Sequence, residues 1–285
     1  MSNQQEVHFF VFNIRLLTDR ERMPATYTRL FHTLHWLRKP EPIRKSRCYM
    51  MLASMEECYI AGTPVLKGYL GKFCEEHSHQ WYDFNPCEAE KQSGAQIPCP
   101  NFRVIEYLFI PALHRFCLLM RLDKLSLSMV GKFLKAELNR AARKDEEVHV
   151  TLEKSPKFLE DIFSARDILD ITFHVSFSNQ DLNDEYTTLV DNQLRDAEVE
   201  HLEIRGRARD GKSVDLKKSE FLMGAAGLVP SNGRASVQIV NGKGEKKTVD
   251  TSNYPRIFQI RCGEGEKAAA VVHHMMKTYG RRNEV

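Results

Sequence analysis

A chain of 285 residues, 42% hydrophobic and 28% charged with a formal net charge of +3, is long enough to bury one large core or two ordinary ones. Charges or Pro111 break every apolar run short of the roughly 20 residues a membrane-spanning helix needs, and the N-terminal MSNQQEVHFFVFNIRLL carries Glu6, Asn13 and Arg15 inside its apolar stretch, against the grammar of a signal peptide. Seven cysteines, an odd number without regular spacing, fit reduced thiols in a cytoplasmic protein rather than a disulfide scaffold.

In chain order, VHFFVFNIRLL at 7–17 predicts a strand with large side chains on both faces, as in a sheet covered on two sides. PATYTRLFHTLHWLRK follows with Tyr27, Leu30, Phe31, Leu34 and Leu37 at helical spacing and Pro24 suited to its first turn. Pro40 and Pro42 end that helix, because proline cannot continue the hydrogen-bond ladder. Several short strands are expected in CYMMLASME, CYIAG and VLKGYLGKF, and a strand pair in RVIEYLFIPALHRFCLLM around Pro111. SMVGKFLKAELNRAARK reads as an amphipathic helix with Val130, Phe133, Leu134, Leu138 and Ala141 inward.

The second half alternates strand and helix patterns. VHVTLE, a short helix in SPKFLEDIF, and ILDITFHVSF with Ile171, Phe173, Val175 and Phe177 on one side lead to a helix in QDLNDEYTTLVDNQLRD. VEHLEIRGRARDG returns as a strand toward an Asp210–Gly211 turn. A helix near 215–228, a hairpin in ASVQIVNGKGEKKTVD, the strand RIFQIRC and a final helix complete the chain. The order predicts an α+β fold: an N-terminal, mostly antiparallel sheet with two packed helices, then a smaller β-α-β-α-β unit with a terminal hairpin and helix. A change of charge sign sets the domain boundary near Asp145, giving domains 1–145 and 146–285.

Charge is unevenly distributed. Residues 20–47 hold eight basic against two acidic side chains, 145–200 fifteen acidic against four basic, and 203–247 ten basic against five acidic, so lobes of opposite field are expected. Three basic runs are candidate phosphate contacts: Arg38, Lys39, Arg44, Lys45 and Arg47; Lys132, Lys135, Arg140 and Arg143; and Arg205, Arg207 and Arg209, whose alternation on a strand aims all three at one face. Asp181, Asp184, Asp191 and Asp196 decorate one helix, where a second copy's basic surface could meet them.

Other chemistry is weaker in pattern. Cys74, His77, His79, Cys87 and Cys99 form the best zinc candidate, although only the CxxH is compact, and no metal or cofactor is expected. Asp170 and Glu203 could approach as magnesium ligands of a nuclease, but EIR lacks the lysine of a typical metal-nuclease strand. No histidine sits in a nucleophile motif, GEGEKAAA and NGKGEKK read as a helix entrance and a hairpin turn, and Trp36 falls in a core pattern, leaving no evident stacking platform for single strands.

The segments YTRLFHTLHWLRKPEPIRKSRCYMMLASM, RVIEYLFIPALHRFCLLM with SLSMVGKFLKAELNRA, and VHVTLEKS leading to ARDILDITFHVSFSNQDL resemble a bacterial domain-of-unknown-function family, number 4747, over most of the chain. The order of elements is more distantly similar to the phage lambda exclusion protein RexA, which implies an anti-phage role with duplex DNA held by a dimer. Together these readings predict a cytoplasmic, non-enzymatic homodimer that binds nucleic acid, double-stranded DNA before RNA, through phosphates and has no membrane segment. The alternatives are a metal-dependent nuclease effector of a defence system and an adaptor or sensor that binds a phage or defence-operon protein.

Overall fold

The computed structural model describes residues 4–18, 23–37, 41–42, 48–74, 81–83, 98–100, 103–119, 126–178 and 184–280. In chain order the elements are β1 (Gln4–Leu17), α1 (Pro24–Leu37), β2 (Glu41–Pro42), β3 (Cys48–Ile60), β4 (Thr63–Cys74), β5 (Trp81–Asp83), β6 (Pro98–Pro100), β7 (Arg103–Ile110), β8 (Arg115–Leu119), α2 (Leu127–Ala141) and β9 (Glu147–Leu152). They continue with α3 (Lys157–Phe163), β10 (Asp167–Val175), α4 (Glu185–Asp196), β11 (Leu202–Arg207), α5 (Glu220–Asn232), β12 (Gly233–Val240), β13 (Lys246–Asp250), β14 (Phe258–Gly263) and α6 (Lys267–Tyr279). The class is α+β, as the alternation of patterns predicts.

Two compact units emerge: Met1–Val150 with Phe258–Glu284, and Thr151–Ile257. The sequence reading runs the second domain to the C-terminus, whereas β14 pairs antiparallel with β1 from Gln4↔Gly263 to Phe9↔Phe258 and so belongs with the first unit.

The first unit is built on an eight-stranded sheet of order β14-β1-β8-β7-β4-β3-β2, with β9 also pairing β1. Side chains from Phe9 to Leu16 are buried without a break, which a strand achieves only when both faces are covered. On one face Phe31 of α1 stacks on Phe109 at 4.1 Å and on Phe116 at 6.0 Å, and Phe12 packs edge-on against Phe116. On the other, Phe9, Val11 and Cys117 pack with Val271, Val272 and Met275 of α6. Where three short strands were expected between 48 and 73, β3 and β4 form one long hairpin, closed by a two-residue turn in which Ala61 and Gly62 take φ of 50° and 79°.

The second unit is a four-stranded antiparallel sheet of order β11-β10-β12-β13. Here burial alternates: Ile171, Phe173 and Val175 face Val190, Leu194, Ala225 and Leu228 of α4 and α5, while the residues between them face away. α4 and α5 lie close because Gly224 and Gly227 have no side chain, and a Cβ on Gly224 would stand 2.2 Å from the Tyr186 carbonyl oxygen. Asp184 caps α4 through Thr187 N–H at 2.9 Å, and Ser219 caps α5. Among the described residues no helix is long and apolar enough to cross a membrane.

Candidate functional site

The unit's own helices cover one face of the four-stranded sheet and leave the other open. β11 has half-buried Leu202 and Ile204 on the core side and exposed Glu203, Arg205 and Arg207 on the open side, the alternation that the sequence predicts. Register fixes what stands beside them. Arg207 pairs with Asp170 and then Gln238; Arg205 with Thr172, then Ser236, then Asp250; Glu203 with His174, then Arg234. The open face is therefore a lattice of charged and hydroxyl side chains, and none of these positions carries Phe, Tyr or Trp.

Within that lattice Arg205 is ion-paired with Glu203, yet the Arg205 side chain stays 77% exposed. Glu203 also lies 3.8 Å from His174. Among the described residues Arg207 and Arg234 make no ion pair, so their guanidinium groups remain open to solvent or to a ligand. The alternation ends at Arg207, since Arg209 sits in the turn to Gly211, with its carbonyl accepting Lys212 N–H at 2.9 Å. Arg209 is exposed there.

At the start of β12 the open face dips into a depression of about 430 Å³, lined by Lys154, His174, Arg234, Ser236, Asp250 and neighbouring residues. Lys154 enters from the connection after β9. Its N–H donates to Pro230 O at 2.9 Å, and its Nζ donates to Leu152 O at 3.1 Å and Gly233 O at 2.5 Å. Burial pulls its pKa down from 10.5 to about 8, and the charge of Glu153 opposes that fall only in part. Sequence reasoning missed this site. The alternation in GRASVQIV could have placed Arg234 beside Arg205, but Lys154 comes from an irregular segment with no periodic signal.

The other candidates distribute differently. Lys132, Lys135, Arg140 and Arg143 belong to the first unit; Lys132, Lys135 and Arg143 are exposed, while Arg140 holds buried Glu137 at 2.6 Å. Arg38, Lys39, Arg44, Lys45 and Arg47 lie outside the described residues, as do His77, His79, Cys87 and the side chains of Cys74 and Cys99. Among the described residues Cys58, Cys117 and Cys262 form no disulfide with one another. Asp170 and Glu203 share the open face but are separated along it by the Arg205–Thr172 row, about 13 Å of strand, too far to hold one ion.

Two readings are corrected. Asp191 is not part of a surface stripe: it is buried, accepts hydrogen bonds from Ser178 N–H and, at 3.0 Å, Ser178 Oγ, and pairs with Arg195 at 3.1 Å, because its helical position faces the core beside Val190 and Leu194. Trp36 is 80% exposed rather than in the core, one turn-position away from the buried stripe of Tyr27, Leu30, Phe31 and Leu34. His274, by contrast, packs edge-on against Phe9 and Phe258.

Comparison with known proteins finds no curated protein that matches. The family model described as "Domain of unknown function (DUF4747)" matches residues 5–277. That span takes in both units and every strand of the open face, and the chain belongs to this family.

Proposed function

We propose that the chain binds nucleic acid without catalysis, holding the phosphate backbone of duplex DNA on the open face of the second unit's sheet. The observation that carries this reading is the common exposed face of Arg205 and Arg207, with Arg234 two strands away across β10 and one row along from Arg205, on a sheet surface its own helices leave bare. Guanidinium groups match phosphate oxygens in fork geometry, and their contacts release condensed counterions. The lack of large aromatic rings on this face favours backbone contacts over base stacking. The separation of Asp170 from Glu203 removes the best pair of carboxylates for a nuclease.

Two finer parts of the reading have their own tests. A role in phage exclusion is part of the proposal, on the resemblance of element order to RexA that the sequence reading drew, and its test is the plating efficiency of phage on cells with and without the protein. A homodimer would place two such faces on one duplex, and sedimentation of the protein with and without DNA measures it. For DNA binding itself, a labelled duplex is titrated with the wild-type chain and with Arg205→Glu, Arg207→Glu and Arg209→Glu combined. Loss of affinity by about a hundredfold or more at low salt is expected; undiminished binding rules this face out. Parallel incubation with magnesium or manganese reads out cleavage, which would establish the nuclease alternative instead.

A further inference from the structure

We infer that the depression at the start of β12 is a phosphate-binding pocket for a phosphomonoester of nucleotide size, with Lys154 and Arg234 as its cationic ligands. The inference goes beyond duplex binding and stands without it. Four features support it.

An ammonium carries three N–H donors, and two of those on Lys154 are taken by the Leu152 and Gly233 carbonyls. Lys154 lines the depression, which leaves the third donor for a ligand there. Those two acceptors are neutral, and Lys154 forms no ion pair among the described residues, so the cost of burying its charge is offset only in part. An anion in the depression would supply the missing compensation.

Arg234 also lines the depression. It is exposed, has no ion-pair partner among the described residues, and lies directly across the strand pair from His174, which also lines the depression. A point-like ammonium and a planar guanidinium converging on one volume suit a tetrahedral dianion with several acceptor oxygens better than a single carboxylate. The hydroxyl of Ser236 adds a neutral donor.

One carboxylate, Asp250, also lines the depression and would repel an anion placed against it. Its Oδ1 already accepts Ser252 N–H at 2.8 Å and Ser252 Oγ at 2.6 Å. The remaining oxygen is an acceptor suited to a hydroxyl, which sets a sugar on that side and the phosphate on the Lys154 side. A volume of about 430 Å³ exceeds what a bare phosphate fills and falls in the range of small-molecule sites.

The phosphomonoester could belong to a free nucleotide or to the phosphorylated end of a nucleic acid; the chemistry is shared and the experiment separates them. Calorimetric titration of the full chain uses a nucleoside 5′-monophosphate, the corresponding nucleoside, inorganic phosphate, and a short duplex with or without 5′-phosphates. Binding of the monophosphate at least about tenfold tighter than the nucleoside is expected, with a similar loss in Arg234→Gln. Because the bound anion favours charged Lys154, affinity should fall as pH rises above about 8, provided His174, Arg234, Asp250 and Glu153, which surround it, keep their state. Preference for the 5′-phosphorylated duplex assigns the site to nucleic-acid ends, and indifference to that phosphate assigns it to free nucleotide. Equal binding of nucleoside and monophosphate, absence of binding, or full affinity in Arg234→Gln overturns the inference. Arg234→Gln is a surface change, so its result does not hinge on folding. Failure of duplex binding at Arg205, Arg207 and Arg209 leaves the pocket intact, and the reverse also holds.

Discussion

The central strands β1 and β8 of the first unit's sheet are buried on both faces and the second unit's sheet on one, and that difference decides where chemistry can sit. In the first unit polar side chains inside the strands are tied into packing: buried Arg115 donates to Asn13 Oδ1 at 2.6 Å and to Leu113 O at 3.1 Å, and lies 4.6 Å from the centre of the Tyr279 ring. Buried Glu146 is held by Arg29 at 2.6 Å and by the Arg143 N–H at 2.8 Å. Such groups hold elements in place. In the second unit every second residue of β10, β11 and β12 is released from the core, and arginine, histidine and hydroxyl groups collect there with few partners. A sheet with one free face can carry a ligand site at little cost to its core.

Substitutions should separate the two regimes, and the largest effect belongs to the first unit. Arg29→Ala leaves the Glu146 carboxylate buried with its charge uncompensated, and should lower unfolding free energy by about 3 kcal/mol in denaturant titration. A loss under about 1 kcal/mol would mean that this pair is dispensable and the contrast overstated. Gly224→Ala comes next: the new methyl would collide with the Tyr186 carbonyl, push α4 from α5 and cost about 2 kcal/mol, while Gly242→Ala, where a Cβ meets nothing within 4 Å, should be nearly silent.

The buried ammonium of Lys154 makes the second unit's stability depend on pH. Below about pH 8 folding buries Lys154 charged, at a cost; between 8 and 10.5 the folded protein releases that proton while the unfolded chain keeps it, so the unfolded state binds more protons and stability rises with pH. Wild type should therefore gain on Lys154→Met across that window by roughly 1–3 kcal/mol, measured as the change between pH 7.5 and 10 in the difference of their unfolding free energies from denaturant titration. A constant difference would show that the ammonium is not desolvated. The smallest stability effect is expected on the open face, where Arg205→Gln, Arg207→Gln and Arg234→Gln together should shift unfolding by no more than about 0.5 kcal/mol while weakening DNA binding.

Local patterns in the chain carried most elements. The spacing of Tyr27, Leu30, Phe31 and Leu34 predicted α1, and the alternation through Ile171, Phe173 and Val175 predicted both β10 and its single buried face. What escaped depends on distant residues. Nothing local in RIFQIRC says that β14 returns to β1, about 250 residues earlier, since any apolar strand can pair with any edge. Asp191 looks like a surface aspartate until Ser178 and Arg195 enclose it. Of the site, Arg205 and Arg207 were legible because strand periodicity alone fixes their face. Lys154 was not, because its burial comes from Pro230, Gly233 and Pro255 closing around an irregular segment.

The claim that phosphates are gripped on the open face meets its most direct test in the salt dependence of duplex affinity. Wild type and the Arg205→Gln, Arg207→Gln, Arg234→Gln variant are titrated against the same labelled duplex at several salt concentrations. Log affinity should fall linearly with log salt, with a slope shallower by roughly two to three units in the variant. Identical slopes for the two proteins would contradict it.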